Sequence, residues 1–493
     1  ELKKQRNEKF SIDAPKFSVL VPLYNTPLNF LDEMIESVIK QTYGNWELCL
    51  ADGSDEAHIQ EVYQEVKKYQ KKDARIKYKK LESNEGISGN TNEALKMATG
   101  DFIALFDHDD LLTEDALYNF AKAILDNKDV DCIYSDEDKI DSDTGKLFDP
   151  HFKPDYNIDM LCSVNYICHL FAVRKELTDK YGGFRKEYDG SQDHDFILRM
   201  TEKSRNTVHI PKILYHWRSH ANSTSENPES KMYAFESGKR AILGHYERIW
   251  PELKIDRIEN GISLGIYHTI WHFDEYPLIS VIIPNMDHTE DLDKAIRSMN
   301  EKGTWPNLEF IVVENNSQKK ETFEYYEKIQ KEYSNVKVVK YTGKFNYSKI
   351  NNFGVKYAQG EYYLLMNNDI ELIAPDSVKE MMGYCQREDV GIVGARLLYE
   401  DDTIQHAGVI VGIGGIAGHA FKYKKSEDDT YFNRAMIAQD YSAVTAAVLL
   451  VKKSVFEELH GLDETFEVAL NDVDFCLRAR EKNKLVVYNP YAC

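Results

Sequence analysis

Little in this sequence points to a membrane span, a metal ribbon or a disulfide scaffold. Among its 493 residues the seven cysteines (Cys49, Cys132, Cys162, Cys168, Cys385, Cys476, Cys493) are scattered, odd in number and without a C-x-x-C pair. That spacing argues against a zinc ribbon and fits a reducing compartment. The longest apolar stretch, Ala443 to Val451, is less than half of the ~20 residues that a membrane helix needs. The first residues, Glu1-Leu2-Lys3-Lys4-Gln5-Arg6, carry neither an initiator Met nor the apolar core of a signal peptide. They read as an internal cut in a longer chain, and a cytoplasmic location is expected. Positive charge is also short, with 61 Lys and Arg against 82 Asp and Glu and a net charge of −21. Such a chain repels phosphate backbones and anionic lipid, so no nucleic-acid partner is expected and membrane association is at most peripheral. H-E-x-x-H, G-x-x-x-x-G-K-[ST] and G-x-S-x-G are missing, which removes zinc proteases, P-loop nucleotidases and serine hydrolases. One G-x-G-x-x-A match, Gly412 to Ala417, is set aside because no amphipathic helix follows it.

What is present is an ordinary globular composition, 42% hydrophobic and 29% charged, long enough for two or three domains at roughly 150 residues each. An internal repeat organises it. Phe17-Ser18-Val19-Leu20-Val21-Pro22 returns as Ile279-Ser280-Val281-Ile282-Ile283-Pro284, and Trp46 to Asp52 returns as Leu308 to Glu314. Phe106-Asp107-His108-Asp109 returns as Met366-Asn367-Asn368-Asp369, and Gln192-Asp193-His194-Asp195-Phe196 as Asn471-Asp472-Val473-Asp474-Phe475. The spacing grows before the last block, so the second copy carries an insertion there. A period this long means duplicated domains, since solenoid units are ~20–50 residues. In each copy apolar strands ending in Pro or an acid alternate with helical stretches. The pattern predicts an α/β fold, a mostly parallel sheet flanked by helices, with ligands bound at the carboxyl ends of the strands. The expected layout is an N-terminal extension over 1–15, a first domain over 16–250, a linker over 251–276 and a second domain over 277–493.

The acids past the strand ends are the candidate site. Asp107 and Asp109 follow an apolar strand two residues apart, a spacing that places both carboxylates on one side, suited to a hard divalent cation bridging a diphosphate. The plainer alternative is an acidic turn before a helix; recurrence at Asn367-Asn368-Asp369 favours the functional one. Asp52, before Gly53, suits a nucleobase N–H edge or a simple turn. The small residues from Asn84 to Asn92 open a helix whose N-terminus suits a diphosphate, or an ordinary cap.

The series Val21-Pro22-Leu23-Tyr24-Asn25, Asp52-Gly53-Ser54, Asn84-x-Gly86, Asp107-x-Asp109 and Gln192-Asp193 resembles the family 2 glycosyltransferases of GT-A fold. The second copy supplies Ile283-Pro284-Asn285, Glu314-Asn315-Asn316-Ser317, Phe345-Asn346-Tyr347-Ser348, Asn367-Asn368-Asp369 and Asn471-Asp472. The longer motifs Tyr134 to Lys139, Phe152 to Asp155, Gln405 to Gly408 and Ala417 to Phe421 are similar to bacterial tandem enzymes of O-antigen, rhamnan and related surface-polysaccharide synthesis. The resemblance implies two inverting transferases in one chain, acting on UDP- or dTDP-sugars and a glycan or lipid-linked glycan acceptor. It implies Asp193 and Asp472 as general bases. The nucleotide-sugar sites would use Pro22, Tyr24, Asn25, Asp52, Asn84, Gly86, Asn92 and Asp107, then Pro284, Asn285, Glu314, Asn352 and Asn367. A divalent cation, Mn²⁺ or Mg²⁺, would sit on Asp109 and His220 in the first copy and on Asp369 in the second, with His216 the less favoured ligand. Two departures stand out: Asn90-Thr91-Asn92 keeps only the last residue of the family's Ala-Arg-Asn, and Asn367 replaces the first acid of D-x-D. The second copy stops before a counterpart of the Arg218 to Ser223 segment, so its site is expected to lack a ligand and to work only with further chain. The alternatives are one catalytic domain beside a non-catalytic sugar-binding one, and a nucleotidyltransferase, which would want a basic Gly-rich loop where Tyr24-Asn25-Thr26-Pro27 stands.

Overall fold

The computed structural model describes residues 1–219, 232–428 and 430–493. Two compact units emerge: Glu1–Asn157, Val164–Ile249 and Ser263–Gly265 form one, and Ile158–Ser163, Trp250–Ile262 and Ile266–Cys493 form the other.

The strands of the first unit are β1 (Phe17–Leu23), β2 (Trp46–Asp52), β3 (Ile76–Lys80), β4 (Phe102–Leu105), β5 (Leu111–Leu112), β6 (Cys132–Asp141), β7 (Leu147–His151), β8 (Phe171–Arg174) and β9 (Thr207–Ser219). They lie in the order β3-β2-β1-β4-β8-β6-β9-β5, with β7 paired to β6. Strands β3, β2, β1 and β4 run parallel, and β8 is antiparallel to both its neighbours. The helices in chain order are α1 (Leu2–Asn7), α2 (Leu28–Ile39), α3 (Ile59–Gln70), α4 (Gly86–Met97), α5 (Ala116–Asp126), α6 (Ile158–Ser163), α7 (Lys175–Tyr181), α8 (Gln192–Thr201) and α9 (Met232–Ile249); α6 counts with the second unit.

The second unit contains β10 (Ile255–Asn260), β11 (Tyr267–Trp271), β12 (Ile279–Asn285), β13 (Leu308–Glu314), β14 (Val336–Lys340), β15 (Tyr362–Met366), β16 (Val390–Ala395), β17 (Leu397–Leu398), β18 (Ile404–His406), β19 (Val409–Val411), β20 (Ala417–His419), β21 (Gln439–Asp440), β22 (Val448–Lys452) and β23 (Leu485–Asn489). Its main sheet has the order β14-β13-β12-β15-β22-β16-β23-β21. Position for position this is the first sheet again, except at the edge: β5 directly follows the acidic turn, whereas β21 comes from the inserted segment. The helices are α10 (Thr289–Arg297), α11 (Lys320–Glu332), α12 (Tyr347–Val355), α13 (Ser377–Cys385), α14 (Lys453–Glu458) and α15 (Asn471–Glu481).

The sequence pattern explains these elements. Six of the seven residues of β1 are buried, because a parallel sheet covered on both faces is read as a continuous apolar run. Helix α2 buries Leu31, Met34, Ile35 and Val38, one face at helical spacing. A polar corner is built twice. Ser18 Oγ donates to Glu47 at 2.7 Å and accepts the Gly100 N–H at 2.9 Å; Ser280 repeats this with Glu309 at 2.5 Å and Gly360 at 2.9 Å. A Cβ on Gly100 would lie 2.6 Å from the Lys16 carbonyl, and one on Gly360 2.5 Å from that of Leu278, so both corners require glycine.

Pro22 marks where the sheet opens. Strand β1 pairs with β4 only from Phe17 to Leu20 but follows β2 to Leu23. The missing N–H of Pro22 therefore falls past the last rung on the β4 side. Pro284 sits in the same place, since β12 pairs with β15 only through Ile282. Beyond these prolines each sheet leaves a crevice at its carboxyl end.

The stretch expected as a linker, 251–276, folds as the antiparallel hairpin β10–β11, and Trp271 stacks edge-on against Tyr384 of α13 at 5.4 Å. The N-terminal extension also packs on its unit: Thr42 Oγ1 donates to buried Gln5 at 3.0 Å, and Phe10 meets Tyr43 edge-on at 4.8 Å. All seven cysteines are free thiols. Among the described residues, no helix is long and apolar enough to cross a membrane.

Candidate active site

Each crevice is a cleft. The first, about 400 Å³, is lined by Pro22, Leu23, Tyr24, Pro27, Phe30, Asn84, Gly86, Ile87, Asn90, Asp107, His108, Asp109 and Trp217. The second, about 360 Å³, is lined by residues including Pro284, Asn285, Asn315, Tyr347, Asn367, Asn368, Thr445, Asn471 and Asp472.

In the first cleft Asp107 and Asp109 both face the opening. His169 Nε2 lies 3.3 Å from Asp107 and stacks on Tyr215 at 4.9 Å. Burial works against charge on both groups, yet each favours the other's ion: Asp107 is held below the usual carboxylate range, and Cys168 and Asp107 hold His169 well above the usual imidazole range. Asp110 behaves oppositely. It is fully buried, and burial followed by the charges of Asp109 and Asp107 pushes its carboxyl well above the usual carboxylate range. It is bonded to the Tyr215 hydroxyl and accepts the Arg218 N–H at 2.7 Å. The Arg218 guanidinium donates to the Asp109 carbonyl at 2.5 Å and to Glu33 at 2.6 Å, and covers the Phe30 ring at 4.6 Å.

Asp193 sits in the first turn of α8, where the helix N-terminus favours an anion. It accepts from Asn165 Nδ2 at 2.8 Å and from the Cys168 thiol at 3.5 Å. Cys168 precedes His169, so the candidate base and the D-x-D acid are joined through one dipeptide. Asp472 occupies the same turn of α15, lines its cleft and accepts the Ala446 N–H at 3.2 Å.

Several candidates have other partners. Asp52 is fully buried and accepts from Tyr78 at 2.8 Å and from the Ser54 N–H at 2.9 Å. Glu314 is likewise buried, accepting from Tyr326 at 3.0 Å and from the Ser317 N–H at 2.8 Å. Asn25 is tied to Asp55 at 2.9 Å and 3.0 Å. Asn92 and Asn352 turn from the clefts to bond backbone at Phe184 and Leu462. Asn84 lines the cleft and accepts from Gly86 N–H and Asn90 Nδ2, both at 3.0 Å. The N-terminus of α4, expected to face a diphosphate, meets a protein carboxylate instead, with Ser88 N–H 3.3 Å from Asp189. His216 is paired with Asp138 at 2.5 Å, and His220 lies outside the described residues.

The second tripeptide departs from its first-copy model. Asn367 and Asn368 line the cleft, and Asn368 donates to Asn285 at 2.6 Å; Asp369 is exposed and lines a neighbouring cavity. Both tripeptides lie in turns just past their strands, which end at Leu105 and Met366.

The donor set decides what each cleft can hold. Asp107 and Asp109 supply carboxylate oxygens, the donor type that suits a hard divalent cation. The second cleft offers mainly amides. Among the described residues no group of three or more His, Cys, Asp or Glu is arranged to hold a metal.

His169, Cys168 and Asn165 were not foreseen as site residues. Their segment has no period or motif, and only the need of a buried acid for a cation hinted at them. The acidic strand Asp136-Glu137-Asp138 proved to be internal wiring: His209 meets Asp136 at 2.8 Å, Lys153 meets Glu137 at 3.0 Å and His216 meets Asp138.

Comparison with known proteins gives the family of both halves of the chain. The model of "Glycosyl transferase family 2" matches residues 18–182 and again 280–459. An uncharacterized protein, y4gI, of Sinorhizobium fredii is 41% identical over 483 residues, covering 97% of this chain and 53% of its own length. The O-antigen biosynthesis protein RfbC of Myxococcus xanthus is 32% identical over 480 residues, 96% of this chain and 36% of its own length. The chain thus spans about half or less of these curated relatives. Among solved structures, S. aureus TarS 1–349 with UDP aligns at a TM-score of 0.36 and 22% identity, covering 47% of this chain and 65% of that one. With the family's domain matched on both sheets, each across the strand that carries Pro22 or Pro284, the chain belongs to glycosyl transferase family 2.

Proposed function

We propose that the chain is a bifunctional inverting glycosyltransferase that moves sugars from nucleoside-diphosphate donors, UDP- or dTDP-linked, onto a growing bacterial surface glycan. Its site of action would be the cytoplasm or the inner face of the membrane, on a glycan or lipid-linked acceptor. The observation that carries the reading is the carboxylate kept at the first turn of two equivalent helices: Asp472 lines its cleft, and Asp193 is joined to the cleft residue Asp107 through Cys168 and His169.

The chemistry follows from that placement. The carboxylate takes the proton of an acceptor hydroxyl as its oxygen attacks the anomeric carbon from the face opposite the diphosphate. The new C–O bond forms as the bond to the diphosphate oxygen breaks, and the anomeric configuration inverts. Asn165 orients Asp193 from one side, while Trp217 walls the cleft where a sugar ring would stack. Asp107 and Asp109 would hold a divalent cation, which when bound neutralises the leaving diphosphate. His169 limits the charge of Asp107 when no cation is there.

One feature favours a second reading, in which the second domain only binds a nucleotide sugar or glycan: its cleft has amides where the first has acids. The experiment that separates the readings is a panel of UDP-, dTDP- and GDP-sugars offered to the chain and to Asp193→Asn and Asp472→Asn. Two different transfer steps lost one at a time support bifunctionality, with product anomers read by NMR. A step indifferent to Asp472→Asn supports a binding role for the second domain.

A further inference from the structure

We infer that a serine and an asparagine four residues apart on the helix beside each cleft form a clamp that positions the general base, an inference that rests on the transferase reading above. The asparagines belong to the helix-opening segments where nucleotide contacts were expected, yet their amides are spent on backbone. Asn92 Nδ2 donates to the Phe184 carbonyl and its Oδ1 accepts the Phe184 N–H, both at 2.8 Å. Asn352 does the same with Leu462 at 2.8 Å and 3.0 Å. One turn earlier, Ser88 Oγ donates to the Arg185 carbonyl at 3.3 Å and Ser348 Oγ to that of Phe466 at 2.8 Å. Residues at i and i+4 share a helix face, so each pair grips one loop.

The gripped loop is the one that runs into the base helix. Its other side is held by an arginine aligned by the acid two residues after the base. Arg199 bonds Asp195 at 3.0 Å and donates to the Gly183 carbonyl at 2.6 Å; Arg478 bonds Asp474 at 2.8 Å and donates to the Gly461 carbonyl at 3.0 Å. The fit leaves no room: a Cβ on Gly183 would lie 2.3 Å from Asn92 Oδ1, and one on Gly461 2.5 Å from Asn352 Oδ1. Two copies whose cleft residues have diverged keep the same four-point hold, which is what positioning requires and nucleotide contact does not. The same helices line the clefts through Gly86 and Ile87 or Tyr347 and Ile350, so one rigid element touches the donor site and the base loop.

Asn92 and Asn352 are therefore positioning residues. The test uses the full chain with Asn92→Ala, Asn92→Asp, Gly183→Ala and Asn352→Ala. Its readouts are amide exchange over 182–195 and 460–474, turnover of each step, and binding of UDP and dTDP with Mn²⁺ by calorimetry. Asn92→Ala and Gly183→Ala should speed exchange over 182–195 alone and lower first-step turnover by about 10²-fold, the scale of a small misplacement of a reacting group, with nucleotide affinity unchanged. Asn92→Asp should fall between, because its carboxylate still accepts the Phe184 N–H. Asn352→Ala should act only on the second step and on 460–474. Nucleotide affinity lost in step with turnover would make Asn92 a donor ligand and overturn the clamp, as would unchanged exchange. An unaltered chain that transfers from no donor refutes the transferase reading, while the exchange result still decides the clamp.

Discussion

The two units share a strand order, a register, a polar corner and a helix with an acid in its first turn, but not the chemistry of their clefts. The first presents Asp107 and Asp109 with His169 and Arg218 arranged around them. The second presents Asn285, Asn315, Asn367 and Asn368, with Asp472 the acid among its lining residues. What has stayed constant lies behind the cleft wall, in bonds that fix where the chain goes; what has changed lies on the wall, where it decides what is bound. Geometry and specificity are therefore separable here, and each can be disturbed without the other.

The largest effect expected is loss of the base. Asp193→Asn should lower the first transfer by about 10²–10⁴-fold and leave the second, and Asp472→Asn the reverse. Rates of sequential addition on a defined acceptor check this, and a variant that slows both steps equally would break the two-site picture. Next comes metal dependence. Asp109→Ala, or a chelator, should weaken the first step by roughly ten-fold or more, because a cation there offsets leaving-group charge. The amide-lined second cleft should respond less, and equal sensitivity would remove the distinction.

Two buried groups, one in each unit, should pull stability in opposite directions with pH. Burial makes Asp110 hold its proton to higher pH in the folded chain, whereas the unfolded chain gives it up above pH ~3.9. Its burial thus counts against folding as pH rises from there, and Asp110→Asn should raise Tm more at pH 8 than at pH 4. In the second unit burial, then the neighbouring His419, holds His406 well below the usual imidazole range; the two rings bond at 2.9 Å through their Nδ1 atoms. The unfolded chain takes up that proton below pH ~6.5, so stability falls on acidification, and His406→Gln should flatten the fall. Thermal scans over pH 4–8 give both slopes. The smallest effect concerns what the units share: Ser18→Ala takes the Ser18 hydroxyl from the buried Gly100 N–H, at a cost of about 1–3 kcal/mol, whereas Ser280→Ala leaves the Gly360 N–H a second acceptor in Glu309 at 3.3 Å. A larger loss of Tm is expected from Ser18→Ala, and equal losses would show that the Glu309 contact does not compensate.

Much of this architecture was legible because it is periodic or repeated. Apolar strands carrying Pro22 and Pro284 near their ends, and acids beyond the next strands, recur in order, and a parallel sheet places them at one end. The partners were not legible. Nothing in the sequence ties Asp107 to His169 or Asn92 to Phe184, since such pairings depend on which loop returns to the sheet end. Asp52 and Glu314 stand where a nucleobase contact was expected, but tyrosines from different elements, β3 and α11, occupy them. Asp369, expected to hold a cation by its repeat position, is exposed and lines a cavity next to its cleft.

The buried ion pair inside the second unit bears on the order in which the chain can fold. Asp159, on α6, is fully buried against Arg387, which also bonds Asp389 at 2.8 Å and covers Trp250 at 4.3 Å. At a ribosome adding ~5–20 residues per second, residue 387 emerges roughly 10–45 s after residue 159. Through that interval the carboxylate of Asp159 has no guanidinium to meet, while most of the first unit has already left the tunnel. Helix α6 must therefore wait in solvent or in a provisional place until the later unit is made. Synthesis halted between the two positions should leave α6 open to protease, and release of the completed chain should protect it.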